Sequence, residues 1–285
     1  MATVALATIS EFPDLDDDGP ALLAALAGEG VTGRPVAWDD DQADWSAFDL
    51  VVVRSTWDYS DRYAEFLHWA EHVSAVSRLA NPLPVLRWNT DKRYLAELSA
   101  AGLPVVPTSW IEPGRPFELP PGEIVVKPAV SAGSRDTARY TADDAARARA
   151  HVQRLTGEDR VVMIQPYIPS VDADGETALL WLGGAFSHAI RKGPLLRRGA
   201  KLVQGLFAQE DISARTPSPD ELAVADLVLR AVPGGPDGLL YARVDLVAGP
   251  DGPLVLELEL TEPSLFLGYE PGAPARLAKA IARLV

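Results

Sequence analysis

Residues 255–263 read VLELELTEP. In an extended strand alternate side chains share a face, so Glu257, Glu259 and Thr261 project together while Leu256, Leu258 and Leu260 point the other way. Arg243 and Asp245 alternate in the same manner in the preceding apolar run. A five-residue connection, residues 249–253 (GPDGP), would set Asp245 beside Glu257 and Arg243 near Glu259. Three carboxylates on one surface repel unless something offsets them. Hard oxygen ligands of this kind suit Mg²⁺, which takes one or two carboxylates together with substrate phosphates. A half-exposed edge strand with its glutamates in water shows the same alternation, so this segment alone leaves both readings open.

A second group of residues has the chemistry to hold an anion. Lys127 ends the apolar run IVVK and is followed by a loop of small residues containing Ser131, Gly133 and Ser134. Small residues let backbone N–H groups approach an anion closely, and the lysine adds charge. No GxxxxGK[ST] string is present, and a surface turn with a solvated lysine has the same composition. Lys92 lies just after Asn89, which reads as a helix cap. Arg191 and Lys192 end a strand and are placed to reach a phosphate or a carboxylate. The run VVMIQPYIP, with Gln165, Tyr167 and Ile168, is broken by Pro166; it suits a hinge over a flat ring and equally an ordinary strand exit. His188 reads as structural.

The elements that must position these residues follow from apolar periodicity. Residues 3–9 and 49–54 (DLVVVR) read as strands, and residues 61–76 as an amphipathic helix carrying Phe66, Trp69, Val73 and Val76. Alternating strands and helices predict a parallel α/β domain over 1–87. Ligands of open α/β sheets sit beyond the carboxyl ends of strands. Arg54, Ser55, Thr56 and Asp58, with Trp57, leave such an end and are substrate-binding candidates, Arg54 for a carboxylate. Trp57 and Tyr59 serve equally as packing residues at a domain seam. Residues 88–165 read as a compact α+β unit. Residues 166–285 hold a hairpin turning at Gly183-Gly184, a helix near 219–231, the carboxylate hairpin and a final helix.

Bulk properties set limits. The chain has 285 residues, with 47% hydrophobic and 23% charged, and the balance of 26 Lys+Arg against 40 Asp+Glu gives a formal charge of −14. An acidic surface argues against nucleic acid or a membrane surface as partner. With no cysteine, disulfides, thiolate zinc and a Cys nucleophile are excluded. The first residues lack a basic n-region and no apolar run reaches a membrane span, so a soluble cytoplasmic protein is expected.

The order of these features resembles the ATP-grasp superfamily, of the kind seen in glutathione synthetase and carboxylate–amine ligases. The resemblance covers nearly the whole chain and implies an ATP-grasp fold of the α/β (α+β) class, with N-terminal, central lid and C-terminal subdomains. It implies that Lys92 and Lys127 hold ATP phosphates under a lid containing Ser131, Gly133 and Ser134. Gln165, Tyr167 and Ile168 would cover adenine, Glu176 would meet the ribose, and Asp245, Glu257 and Glu259 would bind two Mg²⁺ ions. Arg191 would face the transferred phosphate, acting with Lys127. Homodimers are common in the superfamily.

The strings RSTWDY, RWNTDKRYL, FSHAIRKG and LELELTEPSLFL are similar to one subgroup, the cyclo-ligases of cycloserine biosynthesis that act on O-ureido-D-serine. That likeness implies phosphorylation of a small-molecule carboxylate to an acyl phosphate, then attack by a nitrogen of the same molecule, with Lys192 among the substrate-side groups. An intermolecular carboxylate–amine ligase, or an inert nucleotide-binding regulatory module, would fit the same pattern. Two positions depart from the superfamily. Glu259 stands where the last metal ligand is usually Asn, and Thr177 stands where Arg usually follows the ribose acid.

Overall fold

The runs VALA and LVVV are apolar at every position, so their strands require cover on both faces. The structure, a computed structural model describing residues 1–196 and 211–285, supplies it. The first unit comprises β1 (Thr3–Thr8), α1 (Gly19–Gly28), β2 (Thr32–Ala37), β3 (Leu50–Val53), α2 (Tyr63–Val76) and β4 (Leu79–Ala80). They form a parallel sheet of order β2-β1-β3-β4. The sequence hid β2, whose Gly33 and Pro35 weaken the strand pattern; an edge position tolerates both. In α2 the buried residues are Phe66, Trp69, Ala70 and Val73, while Val76, expected on the same stripe, is exposed at the helix end.

Next come α3 (Leu83–Asn89) and α4 (Tyr94–Ala100). Asn89 is not the N-cap that the sequence suggested but the last residue of α3. Its amide instead donates to the Leu258 carbonyl (2.8 Å) and accepts from Leu260 N–H (2.7 Å). A second sheet holds β5 (Ser109–Ile111), β6 (Ile124–Pro128), β7 (Ala138–Tyr140) and, after α5 (Ala145–Gly157), β8 (Val162–Pro166). Its antiparallel order is β5-β8-β6-β7. Ala148, Val152 and Leu155 of α5 pack on Val126 and Ile164.

The rest comprises α6 (Ser170–Asp174), β9 (Glu176–Leu182), β10 (Ala185–Lys192), β11 (Ile212–Arg215), α7 (Pro219–Arg230), β12 (Tyr241–Gly249), β13 (Gly252–Glu259) and α8 (Ala273–Ala282). The strands form an antiparallel sheet of order β11-β10-β9-β12-β13. Gly183 and Gly184 turn between β9 and β10 with φ of 60° and 81°. A two-residue hairpin turn of that hand excludes most side chains. In α7, Ser218 accepts from Glu221 N–H while the Glu221 carboxylate accepts from Ser218 N–H, a reciprocal cap that fixes where the helix starts.

Both hairpins carry a one-residue register shift. Phe186 faces Trp181 but His188 faces Leu180, leaving Ser187 unpaired in β10. Asp245 faces Glu257 but Leu246 faces Val255, leaving Leu256 unpaired in β13. The sheets are tied to one another. Leu277 and Ile281 of α8 share a core with Leu22 and Leu26 of α1. Tyr94, Leu95 and Leu98 of α4 share a core with Val244 and Leu258 of the C-terminal sheet and with Met163 of the central one. Asn81 donates to the Tyr241 and Leu260 carbonyls and accepts from Leu240 N–H.

Candidate active site

A cavity of about 750 Å³ opens where the three sheets meet. One face of the C-terminal sheet forms its floor. Directly paired residues share a face, so the pairs Lys192–Glu176, Asp245–Glu257 and Arg243–Glu259 place six charged side chains together. The register expected for the carboxylate hairpin is present, but the route to it differs. Gly249 pairs with Gly252 across a tight turn, and the unpaired Leu256 restores the alignment. The bulge also turns Leu256 away from Leu258 and Leu260. It joins an apolar cluster with Tyr167, Val171 and Val247 instead of sharing their face.

The floor is a lattice of ion pairs. Glu257 takes Lys92 on one oxygen (3.1 Å) and Lys127 on the other (3.7 Å). Burial opposes its ionisation, but the two ammonium groups hold its pKa below the usual carboxylate value. The same burial lowers Lys127, with Glu257 acting against the shift. Asp245 is almost fully buried and accepts from Lys192 (2.7 Å) and from Arg243 (2.9 and 3.0 Å). Burial would raise it, yet these two cations pull it down to about 2. Arg243 also pairs with Glu259. Even so, burial, with Glu257 and Asp245 adding, pushes Glu259 up to about 7.

Lys92 reaches this point from the segment between α3 and α4. Its Nζ donates to the Ser131 carbonyl (2.6 Å), which joins the small-residue loop to the floor. Ser131, Gly133 and Ser134 line the cavity beside Lys92 and Lys127. Ser134 has φ 60° and Gly133 φ 60°, so the loop turns through left-handed backbone. At the far end Gln165, Tyr167 and Ile168 line an apolar compartment with Val125, Val247 and Leu256, and Glu176 stands nearby. Arg139 builds that compartment from behind. Its guanidinium stacks 3.3 Å from the Tyr167 ring centroid, forks onto Asp172 (2.8 and 3.0 Å) and donates to Glu123 (2.7 Å). The Tyr167 hydroxyl donates to Asp172 (2.7 Å).

Several expected residues lie elsewhere. Arg191 is adjacent to Lys192 in the strand and therefore points to the opposite face. It donates to the Asp174 carbonyl (2.8 Å), reaches Asp211 at 3.7 Å, and does not line the cavity. Thr177, opposite Arg191, bonds to Glu221 of α7. Arg54, Ser55 and Thr56 are wholly buried behind the cavity wall. Arg54 donates to the Pro263 carbonyl (3.2 Å) and pairs with Asp16 (3.4 Å) and Asp18 (3.7 Å), so its charge is spent on the protein rather than on a ligand. Asp58 accepts from Trp38 (2.8 Å) and does not line the cavity.

The end of the cavity beside the N-terminal sheet is lined by Phe12, Asp16, Trp57, Tyr59, Glu262 and Phe266. Trp57 and Tyr59 line it as the sequence allowed, while Phe12, Asp16, Glu262 and Phe266 were passed over. Trp57 Nε1 donates to the Glu262 carbonyl (3.1 Å). Burial first, then Glu259, raises Glu262 to about 8. Glu262 stands in the same TEP step as Thr261, one residue past the alternating run, where strand periodicity gives no facing. Asp16 lies in a DLDDD string that looks like a solvated loop.

Among the described residues no three acidic or histidine side chains converge into a ready metal cage. Mg²⁺ does not need one, because phosphate and water oxygens complete its octahedron. The ionised Glu257 and Asp245, hard oxygen donors with lysines beside them, fit such an ion.

Two antiparallel sheets, the second with acids on its inner face, meeting at paired lysines make the ATP-grasp fold. The same fold appears in an ATP-grasp RimK domain protein from Sphaerobacter thermophilus, with a TM-score of 0.68 at 20% identity over 100% of this chain and 99% of that one. The sequence model of the D-cycloserine synthetase DcsG N-terminal domain matches residues 4–81. The cycloserine biosynthesis protein DcsG of Streptomyces lavendulae is 42% identical across 99% of this chain and 98% of its own length. The crystal structure of D-cycloserine synthetase DcsG superposes with a TM-score of 0.89 and 41% identity, each chain being covered to 100%. This chain belongs to the DcsG family. No helix among the described residues is long and apolar enough to cross a membrane.

Proposed function

We propose that the chain is an ATP-dependent ligase of cycloserine biosynthesis that closes O-ureido-D-serine into D-cycloserine. The observation that carries this reading is the convergence of Lys92 and Lys127, from different elements, on Glu257 in one cavity. In this reading residues 1–87 carry the substrate end, 88–165 cover the nucleotide and 166–285 supply the carboxylates. The protein would act in the cytoplasm, as a homodimer.

Lys92 and Lys127 would hold the nucleotide's phosphates, with backbone groups of Ser131, Gly133 and Ser134 closing over them. Gln165, Tyr167 and Ile168 would cover the adenine, and Glu176 would accept from the ribose. Asp245, Glu257 and Glu259 would hold Mg²⁺, which when bound neutralises charge on the transferring phosphoryl group. Lys192 and Arg243, the cations that face the cavity in place of Arg191, would orient the substrate carboxylate toward that phosphoryl group. Transfer of this kind needs positioning and charge neutralisation, with no side chain as nucleophile. The nitrogen bound to the side-chain oxygen of the same molecule would then attack the activated carbonyl, forming the C–N bond as phosphate leaves, and hydrolysis of its carbamoyl group to carbon dioxide and ammonia would complete D-cycloserine.

ADP release decides the matter. Release with O-ureido-D-serine alone, together with a cyclic product, is the expected result. A requirement for an added amine would replace cyclisation with intermolecular ligation. Nucleotide binding with no turnover on any carboxylate would leave only an inert module.

A further inference from the structure

The substrate-side end of the cavity has a chemistry that the phosphate end does not explain. Three loops form it, one after β1, one after β3 and one after β13. Arg54 holds them in contact. One prong of its guanidinium donates to the Pro263 carbonyl and the other meets Asp16, so Asp16 is brought up against the Glu262–Pro263 step. Arg54 itself is sealed from the cavity.

Asp16 is left half satisfied. Its side chain is 8% exposed and it lines the cavity, with Oδ2 on Arg54, while Oδ1 is buried without any hydrogen-bond partner. A buried carboxylate oxygen in that state costs free energy that a donor would recover. The neighbouring Asp18 shows the contrast, because its two oxygens accept from Leu265 N–H (3.0 Å) and Leu267 N–H (2.7 Å). Glu262 is also buried at this end. Phe12 and Trp57 meet edge to face beside it, at 5.4 Å between centroids, and Phe266 completes the wall. A bound ammonium favours the ionised form of a carboxyl that burial otherwise raises, and aromatic faces favour a cation as well.

We propose that this end is the receptor for the substrate's α-ammonium group, held between Asp16 and Glu262. The inference rests on the ligase reading and makes a primary amine part of what the site selects. It also orients the molecule, since an ammonium at Asp16 and Glu262 points the adjoining carboxylate back toward Arg243 and Lys192.

Equilibrium binding tests this without relying on turnover. O-ureido-D-serine and its deamino analogue, 3-ureidooxypropionate, are titrated into the full chain with Mg²⁺ and a non-hydrolysable ATP analogue. The wild type is expected to prefer the amine by about ten- to a hundredfold, the usual worth of hydrogen bonds to a charged group. Asp16→Asn and Glu262→Gln, each checked by circular dichroism, are expected to bring the two affinities to within about threefold of each other. Equal affinities in the wild type, or an undiminished preference in both variants, would overturn the proposal. A wild type that binds the amine selectively but never releases ADP would instead sink the ligase reading and leave this one standing.

Discussion

Lys192 and Glu176 meet at 3.1 Å across the β9–β10 hairpin because one residue, Ser187, stands unpaired between the turn and the site. Without that shift the turn at Gly183-Gly184 would set Arg191 opposite Glu176, and Lys192 would point at α7. A one-residue slip moves a whole strand to its other face. The bulge therefore decides which of two adjacent cations serves the cavity. Lys192→Met is expected to lower kcat by about 10²-fold, the usual cost of losing one group that stabilises developing charge. Arg191→Met is expected to stay within about threefold of wild type, as surface changes away from the chemistry do. Steady-state ADP release measures both, and the reverse ranking would refute the facing.

Glu257 touches both lysines and pairs with Asp245. Glu257→Gln keeps the shape and removes the charge. Mg²⁺-dependent ADP release is expected to fall by about 10³-fold or more, while the circular dichroism spectrum is unchanged. Wild-type activity in this variant would remove Glu257 from the metal site.

Arg139 never reaches the cavity floor, yet it fixes Tyr167 by stacking and Asp172 by a fork. Arg139→Ala is expected to raise the KM for ATP by about tenfold with kcat nearly unchanged, since uniform binding is lost. Arg139→Lys is expected to recover little of this, because an ammonium neither forks nor stacks. A fall in kcat with KM unmoved would show that Arg139 acts on the chemistry instead.

The cavity floor was legible in the sequence, and its limits were local. Alternation in VLELELTEP fixed the faces of Glu257 and Glu259, and the pairing with Asp245 was correct although the turn is shorter than supposed. A bulge at Leu256 compensates for the shorter turn, and periodicity cannot reveal a bulge. The same blindness misplaced Arg191, for adjacent strand residues are equivalent until the register is known. Arg54 looked like an anion receptor because it leaves a strand's carboxyl end. Only the fold reveals that Asp16 and Asp18 already occupy it. Edge strand β2 was invisible for a further reason, since the pairing that creates it is contributed by β1.

Stability should carry a signature of Glu262. Its pKa rises from an ordinary 4.5 to about 8 on folding, chiefly through burial. A carboxyl raised in this way binds more protons folded than unfolded, so its contribution is present below about 4.5 and is lost as pH rises through about 8. Glu262→Gln is neutral at every pH. Melting of the ligand-free protein between these limits is expected to show the wild type losing stability relative to the variant as pH increases. A difference between the two that does not change with pH would rule out the shifted carboxyl.

The lysines of the proposed phosphate site are not waiting bare. Lys92 and Lys127 lean on Glu257, and Lys192 leans on Glu176 and Asp245. An arriving triphosphate must therefore compete with the protein's own acids, and a divalent cation must compete with the protein's own bases. If each takes the partner the other displaces, neither leaves a buried charge stranded. On the proposed ligand set, nucleotide and metal each raise the affinity for the other by the same factor, as linkage requires. On that set the resting site is an internal salt that would exchange both of its ions at once.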